Sequence, residues 1–166
     1  MKTPVSIGQT QIELDINMIL VEDQSIAALL ERAGYDDIDA DILDATNIIC
    51  KPGLRHMTIW SPRRNISSED AEKSMCAMTA IIDGKPFKGR PTTIVGLISY
   101  DVVFCKQLGD SIVVSLGEKL VIGSLNYAVY RYTCGSRRGL DSNHWTDGWN
   151  SKCRFLVEFE EVPPAE

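Results

Sequence analysis

The chain holds two histidines, His56 and His144, and each is followed two positions later by threonine, Thr58 and Thr146. An imidazole titrates near neutrality, so in a pair facing one phosphate, one ring can accept a proton while the other donates one. A threonine hydroxyl can hold a phosphate oxygen. In a strand, positions i and i+2 project from the same face, which gives the His-x-Thr spacing a physical reason. Arg63 and Arg64 follow the first motif, and Arg137 and Arg138 precede the second. Guanidinium groups suit phosphate oxygens. The chemistry open to such a set is acid/base catalysis at a bound phosphate. His56 and His144 would be the acid/base pair, and Thr58, Thr146 and the four arginines would bind substrate. The bland readings are a hydrogen-bonded strand histidine for His56, an exposed loop residue for His144, and solvated arginines.

Other chemistries lack their residues. There is no Gly-x-Ser-x-Gly elbow, Walker loop or Gly-x-Gly-x-x-Gly turn, and no Cys-x-x-Cys pair. Five cysteines, an odd number, argue against a disulfide framework and fit reduced thiols in a cytoplasmic compartment. The acidic run Asp36, Asp37, Asp39, Asp41 and Asp44 invites a calcium loop. Counted from Asp37, though, Ile42 and Ile48 stand where glycine and glutamate are required, so a solvated segment is expected. No metal or cofactor is expected.

The elements that must position these residues are legible in part. A chain of 166 residues favours one domain, residues 1–166, able to bury a core of its own. Net charge is −6, which excludes long-range attraction to a large duplex nucleic acid or an anionic membrane. No secretory signal or membrane-length apolar run is present. Residues 10–21 alternate, placing Ile12, Leu14, Ile16, Met18 and Leu20 on one face of a strand. DQSIAALLERAG reads as a helix capped by Asp23 and ended by Gly34. NIICKPGLRHMTIW reads as two extended pieces broken at Pro52-Gly53, the second carrying Leu54, His56, Thr58 and Trp60 on one face. A second helix is predicted over ISSEDAEKSMCAMTAIIDG, with Ala71, Met75, Met78 and Ile82 as its buried stripe and Gly84 as its end.

From residue 92 the β-branched and aromatic content predicts strands: TTIVGLISYDVVF, DSIVVSL, KLVIGSLNYAVYRYTC and CRFLVEFEEV, with Gly117-Glu118 as a two-residue hairpin turn. The fold class expected is therefore α+β, with two helices in the N-terminal half and a β-rich C-terminal half of mainly antiparallel strands. Residues 135–152 read as a long loop rich in Trp, Gly and Arg, and 163–166 as a frayed tail.

The two motifs, HMTI and HWTD, resemble those of the two-histidine phosphoesterase family. That resemblance implies a bilobal α+β fold and metal-free action on a cyclic nucleotide or RNA-type phosphodiester. The partner would then be a nucleotide or short oligonucleotide. A rival reading comes from another class: a non-enzymatic, β-rich binding or assembly module such as a virion, receptor-binding or inhibitor protein. In it, Trp145 and Trp149 of the long loop would stack on a glycan or anchor a protein partner.

Overall fold

The computed structural model describes residues 1–45 and 48–165. Three strands open the chain: β1 (Lys2–Ile7), β2 (Thr10–Asp15) and β3 (Asn17–Val21). Helix α1 (Ile26–Ala33), strand β4 (Asp37–Ile38) and the single turn α2 (Ala40–Leu43) follow. Then come β5 (Gly53–Trp60), α3 (Ser68–Cys76), β6 (Met78–Ile82), β7 (Lys85–Pro91) and α4 (Ile94–Leu108). The chain finishes with β8 (Val113–Ile122), β9 (Leu125–Cys134), β10 (Arg137–His144) and β11 (Arg154–Glu161).

The described strands form one mixed sheet, antiparallel except where β4 meets β10 and β8 meets β11. Part of it closes on itself. β1 pairs with β2 and β6, β6 with β7, β7 with β11, β11 with β5, and β5 with β3, which continues from β2 through Ile16. The inside of this ring is lined by Val5, Ile16, Met78, Ala80, Phe87, Val157 and Phe159, and α3 adds Ala71 and Met75. Closure leaves these strands no open edge within the ring. From β11 the sheet continues through β8, β9 and β10 to β4. Its other face packs on α1, α2 and α4 through Ile19, Met57, Val113, Val129, Leu140 and Leu156.

Strand takes 47% of the molecule and helix 22%, so the expected two-helix α+β arrangement is corrected to a mostly sheet fold with four helices among the described residues. The predicted strand over TTIVGLISYDVVF is α4. Ile94, Leu97, Ile98, Asp101 and Leu108 recur at helical spacing, and Ile94 through Asp101 are all buried. Packing on both sides overrides the β preference of single Val and Ile residues. The predicted second helix stops at Cys76, and Met78 and Ile82 reach the same core from β6. The stripe 71, 75, 78, 82 fits a helix, but the even members 78, 80 and 82 fit a strand equally well. Asp83-Gly84, with φ of 51° and 78°, is the tight turn into β7 rather than a helix end.

The strand over 10–21 breaks at Ile16. Beyond it Met18 and Leu20 are exposed, while Ile19 and Val21 face the helices. Helix α1 is capped by Ser25 rather than Asp23, and Gly34 closes it in the left-handed conformation. Gly117-Glu118 is not a hairpin turn, for β8 passes through it, and the hairpin into β9 turns at Gly123. The first extended piece before Pro52 forms no strand over its described residues, and Asn47 lies outside them. Pro163–Ala165 are exposed and outside regular structure; Glu166 is outside the described residues.

The region 135–152 is not one long loop, since Arg137–His144 forms β10, paired over its whole length with β9. Its polar residues are held by pairing and by side-chain bonds. Tyr130 donates to Asp141, and Ser142 donates to Asp39. The acidic segment is likewise built in. Asp36 accepts from the Arg138 N–H, Asp37 accepts from Tyr132, and Asp39 caps α2. Among the described residues no helix is long and apolar enough to cross a membrane.

Candidate functional site

The two histidines occupy opposite faces of the sheet. His56 shares the ring-interior face of β5 with Trp60, and its imidazole meets Phe87 edge-on at 4.9 Å between centroids. His144 ends β10 opposite Tyr127, on the face that carries Leu140 beneath the helices. Its ring lies 4.4 Å from that of Tyr127, and its Nε2 is 3.3 Å from the tyrosine hydroxyl. A single phosphate has no position between them. Thr58 is buried and donates its hydroxyl to the Asp15 carbonyl, so it serves the junction of β2 and β3. Arg138 lies under the helices, bonded to the carbonyls of Ala33 and Gly34 at the end of α1. Arg137 is exposed on β10.

Trp145 and Trp149 are 5% and 7% exposed and belong to the core. Trp149 donates from Nε1 to Ser68 Oγ at 3.0 Å and meets both Tyr130 and Phe155 edge-on. A buried indole offers no stacking face, so these rings cover the sheet instead of a partner. Arg64 and Thr146 line the same open groove of about 510 Å³, between the loop after β5 and the turn after β10. Its walls carry Asn65, Ser67 and Asp70. Arg63, at a left-handed φ of 58°, belongs to the neighbouring cleft against Trp60. Neither depression buries a charged pair.

A cavity of about 340 Å³ at the start of α4 does. It is built from five separate stretches of chain, one of which is α3 with Glu72. Lys51 comes from the approach to β5, Arg55 from β5 itself, Arg90 from the end of β7, and Glu118 from the middle of β8. Alternation puts Arg55 on the helix side of β5, beside Met57. There it lies next to Glu158 of β11, whose cross-strand partners are Met57 on one side and Arg90 on the other. Arg55 Nη1 contacts both Glu158 oxygens, at 2.8 and 3.1 Å, and Arg90 Nη2 reaches Oε1 at 2.7 Å. Arg55 also donates to the Lys51 carbonyl. The Glu158 and Arg55 side chains are 4% and 12% exposed, whereas Arg90 is 44% exposed and turns outward.

Glu118 reaches this cavity because β8 is interrupted. Pairing with β9 runs to Ser115, opposite Val129, and resumes at Leu120, opposite Tyr127. The residues between swell out of the ladder as a bulge, a device that re-aims side chains. Gly117 lies against the backbone of Pro91 and Thr92, where an added Cβ would come within 2.6 Å of the Pro91 carbonyl oxygen. Its N–H donates to the Thr92 carbonyl, which pins the bulge to the entry of α4. Only glycine fits there. The next side chain, Glu118, then accepts the Ile94 N–H at 2.9 Å. The first turn of a helix favours negative charge. Burial nevertheless pushes the Glu118 carboxyl above the usual carboxylate range, against the lowering pull of the Ile94 N–H and Lys51. Thr93 caps the same helix, and the buried Thr92 hydroxyl beside it has no hydrogen-bond partner among the described residues.

A site with two guanidiniums, an ammonium, a helix N-terminus and two carboxylates, Glu72 and the Glu118 raised by burial, can hold a small oxyanion beside the cations. Sequence reasoning passed over each of these residues. Gly117-Glu118 carried the one available signal, a glycine inside a strand run, which marks a bulge or a close backbone approach. No group of acidic, histidine or cysteine side chains among the described residues is arranged to hold a metal ion. No protein-family model, curated protein or solved structure matches this chain.

Proposed function

We propose that the protein is a binding module for a small anionic molecule, taken into the cavity at the N-terminus of α4. The observation that carries this reading is the convergence of Lys51, Arg55 and Arg90 with the opening turn of α4 on one concave space. The chain as a whole carries −6, whereas the lining sets these three cations against two carboxylates, Glu72 and Glu118. A long polyanion would meet the acidic remainder of the surface, so the occupant is small. The volume suits a metabolite-sized molecule. A phosphate-bearing nucleotide belongs to the same chemical class. Here it would be gripped by arginine and lysine, since His56 and His144 stand on opposite faces.

The test is direct titration of inorganic phosphate, sulfate and acetate at constant ionic strength, followed by calorimetry and by the melting temperature. The expected result is saturable binding that is lost or strongly weakened in Arg90→Ala. Binding of none of the three, either by the wild type or by a variant without the Glu118 carboxylate, or equal binding by Arg90→Ala, would remove the reading.

A further inference from the structure

We infer that Glu118 is a tethered occupant of the anion site, and that an entering oxyanion binds by displacing its carboxylate from the N-terminus of α4. The inference rests on the binding reading above and names what the ligand must replace. Three features of the structure converge on it. Glu118 is the residue whose oxygen sits where an anion would sit, on the Ile94 N–H and beside Lys51. It is carried on a bulge, not on a paired segment, so its withdrawal breaks no ladder bond of β8. It is also poorly compensated. Among the described residues its two oxygens hold one hydrogen bond between them, whereas Glu158 nearby takes two arginines.

The class of ligand follows from the template. Glu118 presents a planar carboxylate with one oxygen on a backbone N–H. A carboxylate or a phosphate ester can present the same oxygen and, unlike Glu118, direct its others toward Arg90 and Lys51. Arg90 is open enough to turn from Glu158, which keeps Arg55. The bulge is then a gate: Gly117 is fixed by the Thr92 carbonyl and Glu118 swings about it.

The experiment titrates acetate and inorganic phosphate separately, at pH 7 and fixed ionic strength, into the wild type, Glu118→Gln, Glu118→Ala and Arg90→Ala. Glu118→Gln retains an acceptor for the Ile94 N–H, so it tests the charge in a folded chain even if the alanine variant is lost. Removing the competing carboxylate should tighten binding about tenfold, the order of a favourable charge–helix-terminus interaction. The arm that tightens more, acetate or phosphate, identifies the oxyanion. Equal affinity in the wild type and both Glu118 variants, with binding lost in Arg90→Ala, would overturn the displacement while leaving the anion site standing. Absence of binding in every variant would overturn both. Binding that appears only once Glu118 is removed would support both.

Discussion

Helix α4 passes over two ionic clusters, and they are built on opposite plans. At Asp101, seven residues beyond its start, the helix meets Arg131 of β9. Both side chains are fully buried, with Nε and Oδ1 3.3 Å apart. Arg131 donates from Nη1 to the carbonyls of Gly109 and Ser111, so it also ties down the C-terminal end of α4. Arg138 closes the outer side, bonding the end of α1 and lying over the Tyr35 ring. Burial, with the Asp101 charge behind it, holds the Tyr35 hydroxyl well above its ordinary range. At the start of α4 the parts are similar, two arginines and a carboxylate, but a cavity opens on them and Arg90 reaches solvent. Sealed ion pairs join elements, and open ones are available to a visitor. The difference lies in access, not in composition.

The comparison breaks most sharply at Arg131. Replacing it with methionine leaves the buried Asp101 with only the longer Arg138 ion pair, at 3.5 Å, among the described residues, and frees the end of α4. The expected loss is about 3–5 kcal/mol in urea unfolding, with little change on adding salt. Glu158→Ala should cost less, about 1.5–3 kcal/mol, because Arg90 reaches solvent and keeps Glu160, and Arg55 keeps the Lys51 carbonyl. Added phosphate should recover part of that loss by occupying the gap between the guanidiniums, and it should do nothing for Arg131→Met. If the two variants lose the same stability and neither responds to phosphate, the two clusters do not differ as argued.

A third substitution separates charge from shape in the sealed cluster. Arg138→Lys keeps the cation but loses the fork that bonds the Ala33 and Gly34 carbonyls and the flat contact with Tyr35. About 1 kcal/mol is expected, read as a lower urea midpoint at unchanged slope. A loss near zero would mean that position needs only positive charge.

The two plans were not equally hidden in the sequence. α1 could be read from its apolar stripe and Gly34, and β11 from the alternation of Phe155, Val157 and Phe159. α4 could not, because its first two turns, Ile94 to Asp101, are buried on all sides and show no polar face to reveal the period, and its Ile and Val residues mimic a strand. β10 was hidden for the opposite reason. RRGLDSNH has few apolar residues, and its place is secured by β9 and by bonds such as Ser142 to Asp39. The histidines drew attention by their rarity, yet strand parity sends one to each side of the sheet. Parity is fixed only when the pairings are known. Glu158 and Arg55 are 103 positions apart and meet through a strand pairing that no local pattern announces.

The smallest expected effect is also the most specific to the open cluster. Glu118 titrates above an ordinary carboxylate because burial penalises its charged form. Well below the ordinary carboxylate range it is protonated in both the folded and unfolded chain and contributes no pH dependence. As pH rises, the unfolded chain gives up its proton first. From there to the raised folded value, the folded state binds more protons, so this group's contribution to stability falls with increasing pH. Above the folded value the penalty is constant. Glu118→Gln removes that titration. The variant should therefore gain on the wild type as pH rises through the window, and the difference should level off beyond it. At neutral pH the gain is opposed by loss of a charged acceptor for the Ile94 N–H, which leaves a net change within roughly 0.5 kcal/mol, the usual scale of a substitution outside the core. Urea unfolding of both proteins at a series of pH values reads the slope of the difference, which is more informative than its size. A difference that falls with rising pH would mean that ionised Glu118 is well satisfied on α4, and an anion would then have no reason to displace it.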